Sequence, residues 1–137
     1  MIRWMVIVAG VLGLTAVMLG AYGAHGLEKM LAAKGLAPEE IAKKLEQCET
    51  ATRYHMSHAL VVLAMGLAGK AACWKKRTLA SVFLMLGMAL FCGGLYSIVF
   101  LDVLGHWAIV PAGGLSLMIG WIFVISLGFG GGDAESS

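Results

Sequence analysis

Four histidines, three tyrosines and three cysteines are the side chains here best suited to bind a metal, move a proton or act as a nucleophile. Their placement is uneven. His25, His55, His58 and His106 all fall near one end of four long apolar stretches, in company with Tyr22, Tyr54, Tyr96 and Asp102. His55 and His58 stand at i and i+3, a spacing that shares a helix face. His58 lies about 6 Å and Tyr96 about 8 Å inside the ends of their stretches at 1.5 Å per residue, so the two could meet at similar depth. A converging set of this kind would suit a metal, haem or quinone site, or a proton-handling cluster, because ionisable groups inside a membrane are expensive to keep and often functional. The spacing itself carries little: no HExxH or CxxC pattern occurs. The competing interpretation is a polar seam that bonds helix ends and loop carbonyls, and it is the default.

No other motif supplies chemistry. We find no nucleophile triad, phosphate-binding loop or pair of intramembrane carboxylates, so no catalytic residue and no cofactor is assigned. Cys48, Cys73 and Cys92 are placed in a surface segment, at the opposite edge and inside the third stretch. None is expected to pair, and the odd count fits reduced structural thiols. The nine methionines read as core filler.

The elements that must hold these residues follow from composition. Of 137 residues, 60% are hydrophobic and 13% charged, against roughly 25% charged in ordinary soluble proteins. A bilayer is therefore the expected solvent, and a net charge of +2 gives no reason to expect nucleic acid. Trp4 to Ala24, Tyr54 to Ala72, Leu79 to Leu101 and Trp107 to Gly128 are each roughly 19–23 residues long, enough to cross about 30 Å of hydrocarbon. The fold class is thus all-α, a four-span transmembrane bundle in one domain over residues 1–129. The tail, residues 130–137, has nothing to bury and is expected to be mobile. The first stretch resembles a secretory signal, but it is long for one and no A-x-A site follows, so we read it as a retained helix.

Between the first two stretches lies the one sizeable polar segment, Gly26 to Arg53. Leu27, Met30 and Leu31 give a short apolar face, with Gly35 as a helix stop. Pro38, Glu39 and Glu40 form a helix start. Ile41, Leu45 and Cys48 then repeat at helical spacing, with Lys43, Lys44 and Glu46 assigned elsewhere on the wheel. This amphipathic helix is expected either to lie on the membrane surface and run into the second stretch or to pack on the bundle's own end. Small-residue ladders, Ala16–Gly20–Ala24, Ala64–Ala68–Ala72, Ala89–Gly93–Ser97 and Ala112–Ser116–Gly120, predict close helix packing or a face for a second copy. Basic residues tie at five on each side. The dense Lys70, Lys75, Lys76 and Arg77 link, with Arg3, places both termini in the cytoplasm.

The segments GAYGAHGL (Gly20 to Leu27), ETATRYHMSHAL (Glu49 to Leu60), GGLYSIVF (Gly93 to Phe100) and PAGGLSLMIGW (Pro111 to Trp121) resemble the YgdD-like family of small membrane proteins. That is domain-of-unknown-function family 423, with relatives in bacteria and in eukaryotic mitochondria. The resemblance covers nearly the whole chain. Its pattern maps onto Gly23, Ala24, His25, Tyr54, His58, Ala59 and Leu60, then Gly94, Leu95 and Tyr96, then Pro111, Gly113, Gly114, Gly120 and Trp121. His55 falls where relatives commonly carry glutamine, and the polar segment is longer here. The resemblance therefore implies a four-span inner-membrane protein with no established activity, and it selects His25 and His58 as the metal candidates within the cluster Tyr22, His25, Tyr54, His58 and Tyr96.

Two functions are open at this point. One is a non-catalytic bundle that acts by homo-oligomerisation or as an accessory subunit of a membrane complex. The other is a protein that handles a proton, metal or small molecule through the histidine–tyrosine cluster.

Overall fold

Two glycines divide the first half of the chain into three helices. Helix α1 (Arg3–His25) closes at Gly26, whose N–H bonds Tyr22 O at 2.8 Å. Helix α2 (Leu27–Ala33) stops at Lys34 and Gly35, and Gly35 takes φ +76°, a left-handed conformation that costs glycine little. After an extended Ala37, Pro38 occupies the first turn of α3 (Pro38–Leu67), with Glu39 and Glu40 set against the positive end of its dipole. Helices α4 (Trp74–Leu101) and α5 (Ile109–Gly128) complete the chain. The computed structural model describes residues 1–68, 74–102 and 108–129, and among these the regular structure is all helical. Cys73, His106, Trp107, the end of the second apolar stretch and the tail lie outside the described residues.

Helix α3 bears out one expectation and corrects another. It runs unbroken for 30 residues, about 45 Å at 1.5 Å per residue, so the amphipathic segment from Pro38 continues into the second apolar stretch as a single rod. Its amphipathic half packs on the bundle's own end: Leu27 and Leu31 of α2 close with Cys48 of α3 on Val99 of α4, flanked by Ile41, Leu45 and Phe100. Of the two placements allowed for this segment, the structure takes the packed one. The correction concerns span number. Among the described residues three helices, α1, α4 and α5, are long and apolar enough to cross a membrane, where four were expected. The described part of α3 does not qualify, because Arg53, His55 and His58 interrupt its apolar half.

The principal contacts run from α1 to α3, α3 to α4 and α4 to α5. Ile2 N–H bonds Gly66 O at 2.7 Å, so α1 and α3 are antiparallel. Met5, Ala9, Val62, Met65, Leu84, Met88 and Leu117 form the largest core cluster. Helices α4 and α5 approach closely where side chains vanish. A methyl group on Gly113 would collide with the backbone of Phe91, and one on Gly87 or Gly120 would overlap Leu117 or Leu84. Such contact is what holds helices together in lipid, where apolar burial gives no net drive. Ser116 and Gly120 of the expected α5 ladder and Ala16 of the α1 ladder are buried in this packing. The α4 ladder is not: Ala89 and Gly93 are exposed, and Gly87 and Gly94 make the contact instead.

Candidate functional site

His58 is buried, and both ring nitrogens are partnered. Nδ1 lies 2.7 Å from Tyr54 O, one turn back on α3, while the Trp121 indole N–H of α5 points at Nε2 from 3.2 Å. A carbonyl only accepts and an indole N–H only donates, so the partners assign the Nδ1–H tautomer. Tyr54 stacks on the same imidazole at 5.7 Å and meets Phe91 of α4 in a tilted contact at 4.8 Å. His58 therefore joins α3 to α5, with Tyr54 reaching α4, and has no lone pair left for a metal. Trp121 was the missed partner, and its presence in the PAGGLSLMIGW motif was the available signal.

His55, three residues earlier, meets Tyr96. The two rings are 6.1 Å apart, and Tyr96 Oη is 3.5 Å from His55 Nδ1 and 3.3 Å from Thr52 Oγ1. Thr52 Oγ1 in turn donates to Cys48 O at 2.9 Å. The meeting of His58 with Tyr96 that their depths allow is thus replaced by one with His55, because α4 and α5 approach α3 from different directions. Tyr22 is 44% exposed and packs its ring on Phe100 at 5.9 Å, and Phe100 stacks on Tyr96. His25 is exposed in the last turn of α1, where a cation is favoured by the helix dipole. It has no hydrogen bond or ring contact among the described residues. The five cluster residues are therefore distributed around α3 without converging on one point. Among the described residues, no group of three or more His, Cys, Asp and Glu side chains is placed to hold a metal ion.

A second polar constellation was not foreseen. Lys44 is buried and donates to Ile98 O at 2.9 Å and to Asp102 Oδ1 at 2.5 Å. Lys34 of α2 reaches Asp102 Oδ2 at 3.0 Å. Asp102, at φ +54°, ends α4 and is half exposed. Hydrogen bonds from Lys44 first, and Lys34 second, hold its carboxyl below the usual carboxylate range. Lys44 thus bonds a late carbonyl of α4, and the shared Asp102 carboxylate ties in α2 through Lys34. The signal was present, since Lys44 sits three residues after Ile41 and four before Cys48, inside the apolar stripe. At the opposite end Arg77, also buried, donates to Ala68 O at 2.9 Å just past the end of α3. Back at the Lys44 end, burial pushes the Cys48 thiol upward, which keeps it protonated.

Comparison with known proteins agrees with the sequence motifs. The family model described as "Protein of unknown function (DUF423)" matches residues 19–114. The UPF0382 membrane protein YwdK of Bacillus subtilis is 37% identical over 123 residues, covering 88% of this chain and 91% of its own. The UPF0382 inner membrane protein YgdD of Escherichia coli K12 is 35% identical, covering 90% of this chain and 87% of its own. The UPF0382 membrane protein SSP2132 of Staphylococcus saprophyticus is 32% identical over 120 residues. No solved structure matches the chain. The glycine–alanine–histidine end of α1, the Tyr54–His58 turn and the Tyr96 motif all lie within the matched residues, and the chain belongs to the DUF423 family.

Proposed function

We propose that this protein is a four-span bundle of the bacterial inner membrane that acts without catalysis, by association with copies of itself or with a larger membrane complex. The carrying observation is the condition of the histidine-rich end, where His58 spends both nitrogens on Tyr54 and Trp121. Groups engaged in this way hold helices together and are not free to react. The inner-membrane names of relatives support the location.

The fourth span is the apolar half of α3. Helix α1 ends beside α2, whereas α4 begins at the end where Arg77 bonds Ala68. The chain between them must travel from one end of the bundle to the other, and α3 is the segment that does so. Its histidines are compatible with a membrane interior because they are buried in protein and never face lipid. With Lys75, Lys76 and Arg77 on the cytoplasmic side, both termini are cytoplasmic and α2 is outside.

Association is supported by the outer helices. Helix α1 buries only Met5, Ala9 and Ala16, and there is open space where side chains on Gly10 and Gly13 would sit. A backbone this accessible favours close contact with another helix. Native purification in mild detergent, followed by mass measurement of the complex, tests this function. An oligomer or a co-purified partner is expected, and a persistent lone monomer would overturn it.

A further inference from the structure

Helices α1 and α4 both pack on α3, and between them a cavity of about 260 Å³ is left open. It reaches from Leu19 to Val8 along α1 and from Tyr96 to Met85 along α4, about 16 Å at 1.5 Å per residue. His55 of α3 meets Tyr96 at the end nearer the histidine-rich edge, and Met85 and Met88 line the part nearer the bundle's middle. Between them lie Ala89 and Gly93, both exposed, and a methyl group added to Gly93 would meet nothing within 4 Å. The cavity is therefore a narrow slot with one polar end, open on its lipid side. It is smaller than the roughly 300–1,000 Å³ of pockets for drug-sized ligands, so a haem is too large for it.

The polar end has one nitrogen left over. The Thr52 hydroxyl gives its proton to Cys48 O, and Tyr96 Oη stands 3.3 Å from Thr52 Oγ1 and 3.5 Å from His55 Nδ1. With the tyrosine proton on Thr52, Nδ1–H donates to Tyr96 and Nε2 keeps a lone pair. With that proton turned to Nδ1, Nε2 carries the hydrogen instead. In both arrangements Nε2 is without a hydrogen-bond partner among the described residues, on a side chain only 8% exposed. The atom is not enclosed by protein, and the slot is the cavity that His55 lines. A polar group held this deep is costly until a partner completes it, and hydrocarbon supplies none.

Three features select the partner. Among the described residues no Lys or Arg lines the slot, so a carboxylate or phosphate head would lack a counter-charge and the head must be neutral. Nε2 can accept from a hydroxyl or donate to a carbonyl, and a quinol and its quinone present those two groups on one ring. The bare face at Ala89 and Gly93 admits a flat ring, and the thioethers of Met85 and Met88 make favourable contacts with aromatic edges. We propose that the slot between α1 and α4 binds the head of a lipid quinone or its quinol, anchored on His55 Nε2, with the tail running out into the bilayer. Binding is non-covalent, and the ligand leaves in the redox state in which it entered. The site is independent of how the bundle associates.

The full chain in lipid nanodiscs is equilibrated with radiolabelled decylubiquinone and, separately, with its quinol, and empty nanodiscs give the partition blank. We expect saturable binding of both forms and slower alkylation of Cys92, which lines the slot, read by peptide mass spectrometry. Gly93→Leu fills open space and should abolish binding. His55→Leu should weaken it by about 10-fold, the worth of one hydrogen bond. His55→Gln, whose amide also offers a donor and an acceptor, should keep most of it. Binding unchanged by Gly93→Leu would overturn the proposal. So would equal binding by His55→Leu and the unaltered chain, which would leave a slot filled by acyl chains alone. An oligomer split by Gly93→Leu, with no quinone bound by the unaltered chain, would give the slot to a second copy. Should Gly93→Leu fail to fold, Cys92 decides the matter in the unaltered chain: alkylation unslowed at saturating quinone overturns the site.

Discussion

His55 and His58 are one helical turn apart, equally buried, and differently used. His58 faces α5 and finds an indole donor for Nε2, so its ring is saturated. His55 faces the gap between α1 and α4, where Tyr96 engages only Nδ1. The difference comes entirely from the neighbouring helix. An intramembrane histidine is a full seam where the facing helix supplies a partner for each nitrogen, and a half-engaged one where it supplies a partner for one.

Four measurements would break or sharpen that contrast. The largest effect belongs to His58→Ala, which orphans the Trp121 N–H and opens a cavity among three helices. We expect a loss of about 3 kcal/mol in unfolding free energy in detergent, set by an unpaired buried donor and lost packing. A change near zero would remove the seam from the argument. Trp121→Phe keeps the ring and leaves His58 Nε2 without a donor, at about 1–2 kcal/mol, and chemical denaturation reads it directly. His55→Gln should cost less than about 0.5 kcal/mol, since no helix depends on Nε2. A loss as large as that of His58→Ala would show that the two histidines are equivalent after all.

The smallest effect is a pH dependence away from both histidines. The Asp102 carboxyl has a folded-state pKa below its unfolded value. Its contribution to stability is therefore present above the ordinary aspartate range and is lost as pH falls through the lowered folded value. Asp102→Asn should flatten that acid limb of the stability profile while leaving the neutral region little changed. An unaltered acid limb would assign it to other carboxylates.

How much of this was legible in the sequence depended on whether a feature is local. Gly35, Pro38 and the apolar runs of α1, α4 and α5 act through their own backbone or length, and each is where the sequence places it. Lys44 was half legible: its position in the apolar stripe is visible, but Asp102 lies 58 residues away. The His55–Tyr96 pairing was illegible because periodicity gives the face of a residue and not the helix opposite it. The same limit applies to the small-residue rows, where Gly87 and Gly94 rather than Ala89 and Gly93 meet α5. Span counting is divided at α3. The apolar run reads as a span, but Arg53, His55 and His58 lower the hydropathy of the described helix, and burial of the two histidines in protein is a tertiary fact that hydropathy does not contain.

That dependence has a consequence for how the protein is made. On the proposed topology, α3 leaves the ribosome before α4 and α5, yet it is the one crossing helix whose described residues fall short of a span by composition. Its insertion is then expected to await α4. Only then do Arg77 on Ala68 and Tyr96 on Thr52 complete a helical hairpin fit to enter lipid as a pair. The order of synthesis thus makes α4 the escort of α3, and truncation before α4 should leave α1 inserted and α3 at the membrane face.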